Sequence, residues 1–525
     1  MNGKRFIIIT GGVISGIGKG TTAASLGRML KEQGLKVGVL KIDPYLNIDA
    51  GTMNPDQHGE VFVTDDGYEA DLDLGHYERF LGENMSAKNN LTAGQTYFSV
   101  IENERKGKYL GSTVQIIPHL TREIKNRITN VEGDVIIVEI GGTVGDIEGE
   151  VFLEAIRELK LELPRNSVFF IHLTFVPYLS VTSEFKTKPT QQSVQLLRRI
   201  GIQPDMIIAR SNRKLDEKAK NKIALFSGIR PAYVIGLEDL PSIYQAPERL
   251  FLEGAHFKIG GYIGLDMKNE FKWNIPKCDK KVSIALIGKY TGTDDAYKSV
   301  IESLILSEAP KPDIVDSEIF ERYDDERVNA VLEKYDGLII PGGFGSRGIE
   351  GKIKTIKYAR EHDIPLLGLC LGMQLMVVEY ARNCLNLENA NSTEFDENTS
   401  YPVIDMMEEQ KRILKMGGTM RLGSQEARLI KGTVLYDIYG RDKISERHRH
   451  RYEINLDILP QLKTADTDPE PSNMRISAIS QFVEAVEISN KRFFVGVQYH
   501  PEYKSKVGSP HPLFKRFVEV CANKS

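Results

Sequence analysis

Short apolar runs alternate with helical patterns through the first half of the chain, and this order restricts the fold that the first half can adopt. Candidate strands span 6–10, 36–42, 134–140, 168–173, 205–209 and 232–236; candidate helices span 19–33, 119–130, 149–159 and 190–200. Such alternation is typical of a parallel sheet covered by helices. The stretch 44–82 is rich in Asp, Gly and His and has little periodicity, so we expect a functional or flexible loop there.

The same pattern starts again at residue 282. Candidate strands span 282–288, 336–340, 365–369 and 494–498, and a candidate helix spans 371–382. We therefore predict an α/β fold with two doubly wound parallel-sheet domains, 1–267 and 282–525, joined by a linker at 268–281. The Asn- and Ser-rich stretch 386–400 is expected to form a surface loop.

Composition excludes several classes of partner. The chain has 525 residues, a net charge of −4 and four cysteines. Nucleic acid is not expected as a partner, because its binding needs a concentrated excess of Lys and Arg. A membrane is not expected either, because no stretch approaches the roughly 18 apolar residues of a spanning helix. Four scattered cysteines do not form a disulfide framework, which favours a reduced, cytoplasmic location.

A glycine-rich turn joins the first strand to the first helix, in the sequence Gly11-Gly-Val-Ile-Ser-Gly-Ile-Gly-Lys-Gly-Thr21. Backbone N–H groups and the positive end of the helix favour phosphate at such a turn, and Lys19 adds a positive charge. The turn departs from a strict P-loop, since Val13 replaces a glycine and Gly20 replaces Ser or Thr. A phosphate site is the preferred interpretation, and a purely structural turn is the alternative.

Charged residues follow several candidate strands. Lys41 ends the second strand and Glu139 follows the run 135–138, at the sheet edge where open α/β sheets bind ligands. Asp73 and Glu139 are the predicted ligands of Mg²⁺, which takes one or two carboxylates together with phosphate and water. The alternative for Lys41 is a solvated surface lysine.

A second group of cations and hydroxyls precedes a candidate helix in Lys186-Thr-Lys-Pro-Thr-Gln191. This composition suits a second polyphosphate, with Lys222 as a further cation, although a solvated capping segment is the alternative. Asp146 belongs to an acidic stretch and could also serve as a helix N-cap.

The second half contains the groups needed to hydrolyse an amide. Cys370 lies in Gly368-Leu-Cys-Leu-Gly372, a predicted strand-to-helix turn, and His500 and Glu502 follow a later strand. The sequence Pro341-Gly-Gly-Phe-Gly345 offers backbone N–H groups for an oxyanion hole. The basic run Arg447-His-Arg-His-Arg451 is interpreted as binding the carboxylate of glutamine, with a nucleic-acid patch as the alternative.

Together these motifs resemble the CTP synthase family over nearly the whole chain. The resemblance rests on the glycine-rich turn, the stretches 41–45, 57–64, 71–79, 139–148 and 186–191, and the residues around Cys370 and His500. It implies a P-loop-like amidoligase domain followed by a flavodoxin-like class I glutaminase domain. It also implies that ATP phosphorylates O4 of UTP and that ammonia from glutamine then displaces phosphate to give CTP. Mg²⁺, activation by GTP, inhibition by CTP and a homotetramer are further implications.

The resemblance also implies a role for individual residues. Lys19 and Lys41 would stabilise the transferred phosphoryl group, and Cys370, His500 and Glu502 would be catalytic. ATP would contact Ser15, Gly16, Ile17, Gly18, Lys19, Gly20, Thr21, Asp73 and Leu240. UTP and CTP would contact Ser15, Asp146, Ile147, Glu148, Lys186, Thr187, Lys188, Pro189, Thr190, Gln191 and Lys222. Glutamine would contact Gly343, Leu371, Gly372, Met373, Gln374, Glu394 and Arg451. Ammonia would pass Pro55, His58 and Val61, and Asp73 and Glu139 would bind the metal.

Two other functions fit parts of this pattern. One is an amidoligase of the cobyrinic-acid diamide type, and the other is a nucleotide-switch scaffold with an inactive amidotransferase domain. Such scaffolds typically lack the thiol or the histidine, whereas Cys370 and His500 are both present. The stretches 386–400 and 416–423 are candidates for movement when GTP binds.

Overall fold

The computed structural model describes residues 3–407, 420–468, 470 and 473–523, so residues 416–419 of the candidate mobile stretch lie outside it. Two compact units make up the described chain. The first contains the residues up to Ala50 together with Asp73–Ile275, and the second contains Gly51–Leu72 together with the residues from Pro276 onwards. The domain boundaries drawn from the sequence stay a prediction. No pattern in the sequence indicated that Gly51–Leu72 packs with the second unit.

In the first unit, seven of the described strands form one parallel sheet. In spatial order they are Val234–Glu238, Met206–Ser211, Val168–Phe175, Arg5–Gly12, Val135–Ile140, Val37–Asp43 and Asn90–Thr92. A small hairpin pairs Tyr178–Leu179 with Glu184–Phe185. The six predicted strands are confirmed with their ends shifted by at most two residues. Asn90–Thr92 was missed because three residues are too few to show a period.

Helices cover both faces of this sheet, and the four predicted ones are confirmed. The helices are Lys19–Glu32, Asp73–Leu81, Ala93–Arg105, Thr121–Asn130, Glu150–Glu162, Lys188–Arg199, Glu217–Ser227, Ala246–Leu252 and Ala255–Ile263, with short helical turns at Ala87–Asn89, Ile116–Leu120, Ile147–Gly149, Pro231–Tyr233 and Ile243–Gln245. The expectation of a loop throughout 44–82 is wrong for Asp73–Leu81. That helix buries Glu78 and Arg79 as well as its apolar residues, which masks its amphipathic pattern.

In the second unit, nine of the described strands form a mixed sheet. In spatial order they are Asp313–Asp316, Ile284–Gly288, Gly337–Ile340, Leu366–Leu369, Phe494–Val497, Val483–Glu487, Arg475–Ile479, Arg421–Leu429 and Lys443–His450. The first five are parallel; four of them were predicted, and the edge strand Asp313–Asp316 was missed. The last four extend the sheet in antiparallel order. A separate sheet contains Ala390–Ser392, Tyr401–Met406 and Tyr452–Ile454, so part of the expected loop at 386–400 is a strand.

The helices of the second unit surround the parallel part of its sheet. They are Lys298–Leu306, Ser317–Glu321, Asp325–Leu332, Ile349–Glu361, Leu371–Asn383, Val434–Tyr439 and Pro512–Ala522, with short turns at Asp294–Tyr297 and Pro501–Lys504. Among the residues that the structure describes, no helix combines the length and apolar character needed to cross a membrane.

The segment Gly51–Leu72 contributes the short helix Pro55–His58 and the strands Phe62–Val63 and Glu69–Ala70 to the second unit. Glu60 is buried and accepts a hydrogen bond from the backbone N–H of Ser299 at 2.8 Å. The hydroxyl of Tyr503 donates to the carbonyl of Val61 at 2.9 Å. Buried polar contacts of this kind fix the segment in one position, because leaving any of these groups unpaired is unfavourable.

Candidate active sites

The glycine-rich turn leads from the strand Arg5–Gly12 directly into the helix Lys19–Glu32. Lys19 is buried, and its Nζ donates to the carbonyl of Gly142 at 2.7 Å. A Cβ at Gly11 would lie 2.7 Å from that nitrogen, so only glycine leaves room for the lysine. Burial lowers the pKa of Lys19, although Glu139 opposes the shift. The turn therefore holds a buried cation at the start of a helix, as a phosphate site requires.

A cluster of charged residues lies at the carboxyl ends of two adjacent strands, where Lys41 pairs in register with Glu139. Lys41 Nζ forms an ion pair with Asp73, donates to Glu139 Oε1 at 3.2 Å and lies 3.6 Å from Asp43 Oδ1. The hydroxyl of Tyr77 donates to the other oxygen of Glu139. The structure thus brings together Lys41, Asp73 and Glu139, three of the four residues predicted for phosphoryl transfer and metal binding.

The chemistry of this cluster fits a magnesium ion shared with a phosphate. Burial, together with the charge of Asp73, raises the pKa of Glu139 to about 7. A bound cation would favour the ionised form of both carboxylates. Within the described residues there is no cluster of three or more His, Cys, Asp or Glu that could hold a metal unaided. Two carboxylates completed by phosphate and water are the usual donors to Mg²⁺.

Part of the predicted ATP site lines a cavity of about 370 Å³ in the first unit. Its walls include Gly16, Ile17, Gly18, Thr21, Arg210, Asp239 and Leu240. Arg210 donates to Asp239 Oδ1 at 2.8 Å and to the carbonyl of Leu237 at 3.3 Å, which fixes the far wall. The turn and Leu240, which are more than 200 residues apart in sequence, therefore face one cavity.

Most of the residues predicted for UTP lie in two segments, 146–148 and 186–191. Asp146, Ile147 and Glu148 are exposed, and Asp146 accepts the N–H of Thr143 at 2.9 Å instead of capping a helix with its side chain. The backbone N–H of Val144 donates to the carbonyl of Gly11 at 2.8 Å, which joins this loop to the turn. Ser15 is exposed on the turn itself.

The second segment precedes and begins the helix Lys188–Arg199. Thr187, Thr190 and Gln191 are buried, whereas Lys188 is exposed and Pro189 is half-buried. Lys186 forms an ion pair with Glu184, and the pKa of Glu184 is lowered by Lys186 and, further, by Lys222. Lys222 on the helix Glu217–Ser227 is therefore close enough to add to the same positive region.

Cys370 occupies a tight turn in the second unit. It lies between the strand Leu366–Leu369 and the helix Leu371–Asn383, with φ of 52° and ψ of −103°. Such a conformation is strained for a residue with a Cβ and places the side chain at the end of the sheet. The Nε2 of Gln498 donates to Cys370 Sγ at 3.5 Å. Sequence reasoning did not single out Gln498, although it stands two residues before His500.

His500 and Glu502 form a buried pair, with 2.7 Å between His500 Nδ1 and Glu502 Oε1. Burial lowers the pKa of His500, but the charges of Glu502 and Cys370 outweigh it and raise the pKa to about 10. His500 Nε2 makes no hydrogen bond to any residue in the described part of the chain. The ring of Tyr503 stacks on the imidazole with 5.0 Å between centroids. This pairing favours an imidazolium beside Cys370, and such a cation next to the sulfur is what activates a cysteine nucleophile.

Cys370, His500 and Glu502 line one cavity of about 260 Å³. Its walls also include Pro341, Gly342, Gly343 and Phe344, the backbone predicted to form the oxyanion hole, and Pro55 and Val61, which were predicted for the ammonia passage. A Cβ at Gly342 would lie 3.0 Å from His500 Cε1, so glycine permits this close approach. His58 is exposed at the end of the helix Pro55–His58 and does not line the cavity.

The remaining residues predicted for glutamine surround the nucleophile. Leu371, Gly372, Met373 and Gln374 form the buried first turn of the helix after Cys370. Gln374 donates to the carbonyl of Tyr452 at 3.0 Å, and Tyr452 is the next residue after Arg451 in the sequence. Glu394 accepts the N–H of Gly345 at 2.8 Å.

The structure corrects the interpretation of the basic run. Arg447 is fully buried and pairs with Asp65 at 2.7 Å, while Arg449 pairs with Glu69 at 2.8 Å. Both arginines therefore hold the segment Gly51–Leu72 within the second unit. Arg449 also lines the cavity that contains Cys370, and Arg451 stays the residue of the run that is predicted to bind glutamine.

Comparison with known proteins assigns both halves of the chain to known families. The family model described as CTP synthase N-terminus matches residues 5–264, and the model described as Glutamine amidotransferase class-I matches residues 294–520. The CTP synthase of Thermotoga maritima is 62% identical over 97% of this chain and 98% of that protein. The chain belongs to the CTP synthase family. The CTP synthases of Thermosipho africanus and Sulfurisphaera tokodaii are 60% and 51% identical, each over 99% of both chains.

The enzyme is accordingly a ligase that converts UTP to CTP, with ATP as a substrate and glutamine as the source of nitrogen. Family membership over nearly the full length decides against the cobyrinic-acid type of amidoligase and against an inactive scaffold. It also confirms the predicted pairing of an amidoligase domain with a class I glutaminase domain.

Proposed function

We propose that the enzyme couples two reactions, hydrolysis of glutamine at Cys370 and phosphoryl activation of UTP beside Lys19 and Lys41. The observation that supports this proposal is that the residues of each reaction lie close together within one unit: Cys370, His500 and Glu502 in the second, and Lys41 with Asp73 in the first. The thiol with its buried His500–Glu502 pair suits acyl transfer. The buried lysines with two carboxylates suit phosphoryl transfer.

In the glutaminase reaction, the thiolate of Cys370 attacks the amide carbon of glutamine and the carbonyl electrons move to oxygen. The backbone N–H groups of Gly343 and Leu371 would stabilise that oxyanion. His500 gives its proton to the leaving nitrogen, and ammonia departs as the thioester forms. Water, deprotonated by His500, then releases glutamate and restores the thiol. Glu502 holds the imidazole in place throughout.

In the synthase reaction, O4 of UTP attacks the γ-phosphorus of ATP and ADP leaves, which gives a 4-phosphoryl intermediate. Ammonia adds to C4, and phosphate departs with the original O4 as the amino group forms. Lys19 and Lys41 offset the charge on the transferred group. Asp73 and Glu139 would hold Mg²⁺, which supplies further charge neutralisation at the phosphates when bound.

The site residues proposed from the motifs keep their assignments. For ATP they are the glycine-rich turn, Asp73 and Leu240, and the cavity beside the turn supports the assignment of Gly16, Ile17, Gly18, Thr21 and Leu240. For UTP and CTP they are Ser15, Asp146, Ile147, Glu148, Lys186, Thr187, Lys188, Pro189, Thr190, Gln191 and Lys222, so that CTP would inhibit by competing with UTP. For glutamine they are Gly343, Leu371, Gly372, Met373, Gln374, Glu394 and Arg451.

Pro55 and Val61 are proposed to guide ammonia, and their position in the wall of the cavity that contains Cys370 supports this role. His58, which lies between these two residues in the sequence, is proposed for the same passage. Activation by GTP, a homotetramer and a cytoplasmic location complete the proposal and rest on the family resemblance.

UTP labelled with ¹⁸O at O4 tests the proposed intermediate. If O4 is phosphorylated before ammonia attacks, mass spectrometry of the released inorganic phosphate will show one ¹⁸O per CTP formed. Unlabelled phosphate would contradict the proposal, because the oxygen would then have left C4 as water. The same sample with free ammonium in place of glutamine should give the same labelling.

A further inference from the structure

Lys352 is a buried lysine to which the two reactions assign no role. It lies in the first turn of the helix Ile349–Glu361 and its side chain has no exposed surface. Its Nζ makes no hydrogen bond within the part of the chain that the structure describes. Burying an ammonium group without a partner is strongly unfavourable, and groups of this kind concentrate at functional sites.

Two charged residues act on Lys352 through space. Burial and the positive charge of Lys289 lower the pKa of Lys352 to about 7, and the carboxylate of Glu394 opposes them. Glu394 is one of the residues proposed to bind glutamine, and it is fixed by the N–H of Gly345. Lys352 is therefore a buried cation that acts on the glutamine site.

Glu394 depends on its neighbours to remain ionised. Burial raises its pKa, whereas the N–H of Gly345 and the charges of Lys289, Arg451 and Lys352 lower it. Tyr452 also faces Glu394. The Nζ of Lys289 donates to the carbonyl of Phe344, so part of its charge serves the oxyanion-hole loop.

We propose that Lys352 is a positioning residue for glutamine, whose ammonium group keeps Glu394 ionised so that Glu394 can bind the α-ammonium group of the substrate. The inference rests on the proposed placement of glutamine against Glu394. A charge acts strongly over short distances in a buried environment, because little water is present to screen it.

The direction of the pH effect follows from these charges. Below about pH 7 Lys352 carries its proton, and the resulting charge resists protonation of Glu394. Above that pH Lys352 loses its charge, so its removal changes little at Glu394 there. Removing the amine should therefore weaken glutamine binding at low pH and leave it nearly unchanged at high pH.

The test compares Lys352→Met and Lys352→Arg with the native enzyme, in full-length form. Lys352→Met should raise the KM for glutamine about five- to tenfold at pH 6.5, because one buried positive charge that favours the ionised form of Glu394 is lost. The KM at pH 8.5 and the ammonium-driven rate of CTP formation should stay native. The melting temperature should be unchanged or higher, because an unpaired buried charge has been removed. Lys352→Arg keeps the cation and should restore the low-pH KM.

Lys357→Met is the matched control, since Lys357 lies on the same helix and pairs with Asp325 at the surface. It should leave the pH profile unchanged. Equal glutamine KM values for native enzyme and Lys352→Met at pH 6.5 would overturn the proposal. So would a lower melting temperature with parallel losses in both reactions, which would indicate a structural role. If arginine does not fit, the Lys352→Met profile decides alone. A native enzyme that forms CTP from ammonium but not from glutamine would refute the proposed glutaminase reaction instead.

Discussion

Replacing Asp65 with Asn tests whether an ion pair fixes the segment Gly51–Leu72 in the second unit. Arg447 is fully buried, and its Nε lies 2.7 Å from Asp65 Oδ1. Burial raises the pKa of Asp65, but hydrogen bonding and the charge of Arg447 outweigh it and lower the pKa from 3.8 to about 2. That shift corresponds to about 2.4 kcal/mol at 1.36 kcal/mol per unit. The side chain of Asp65 is 34% exposed, so solvent screening reduces the expected loss to about 1–2 kcal/mol.

The sign of the pH dependence follows from the lowered pKa. The pair contributes its full stabilisation above pH 4, and the contribution is lost as the pH falls towards 2. At pH 7 we expect Asp65→Asn to lower the melting temperature by about 2–8 °C, at about 2–4 °C per kcal/mol for a unit of this size. The difference from the native enzyme should narrow as the pH falls below 4.

Activity provides a second measurement on the same variant. The carbonyl of Arg447 accepts the N–H of His500 at 2.8 Å, so loosening Arg447 should lower the glutamine-driven rate more than the ammonium-driven rate. Asp66→Asn is the control, because Asp66 is exposed in the same turn. An unchanged melting temperature for Asp65→Asn at pH 7 would refute the reasoning, since the segment would then not depend on this ion pair.

Two further substitutions test the two active sites separately. Glu502→Gln removes a charge that raises the pKa of His500. The glutamine-driven rate should therefore fall by about 10²–10⁴-fold, while ammonium-driven CTP formation persists. Equal loss of both rates would contradict the assignment of Glu502 to the glutaminase reaction. Gly20→Ala would place a Cβ 1.8 Å from Asp73 Oδ1, and displacing that carboxylate should lower the ammonium-driven rate by about 10²-fold. Gly27→Ala on the same helix meets the tip of the flexible Leu81 side chain at 3.0 Å and Ile137 Cδ1 at an ordinary 3.5 Å, so it should have little effect. Similar losses in both variants would point to a general fault in the helix.

Sequence patterns predicted the central strands well because each strand is buried on both faces. All six residues of Val135–Ile140 are buried, and such strands read as continuous apolar runs. The same pattern placed Lys41 and Glu139 at the ends of their strands, and the structure pairs them in register. The proximity of Lys41 and Glu139 therefore follows from the fact that their strands are adjacent and parallel.

Partners far apart in sequence could not be predicted in the same way. Arg447 and Asp65 are separated by 382 positions, and no local period indicates that they meet. The antiparallel strand Val483–Glu487 buries Glu484 and Glu487, which hides its apolar character. Glu484 is satisfied by His448 at 2.7 Å and Arg421 at 2.7 Å, contacts that exist only after the sheet has formed.

The most direct test of the two-reaction account is CTP formation by Cys370→Ala with glutamine and, separately, with free ammonium. The account predicts that this variant loses the glutamine-driven reaction and keeps the ammonium-driven reaction at the native rate, because the synthase residues belong to the other unit. Retention of the glutamine-driven reaction would show that Cys370 is not the nucleophile. Loss of both reactions in a folded variant would contradict the separation of the two chemistries.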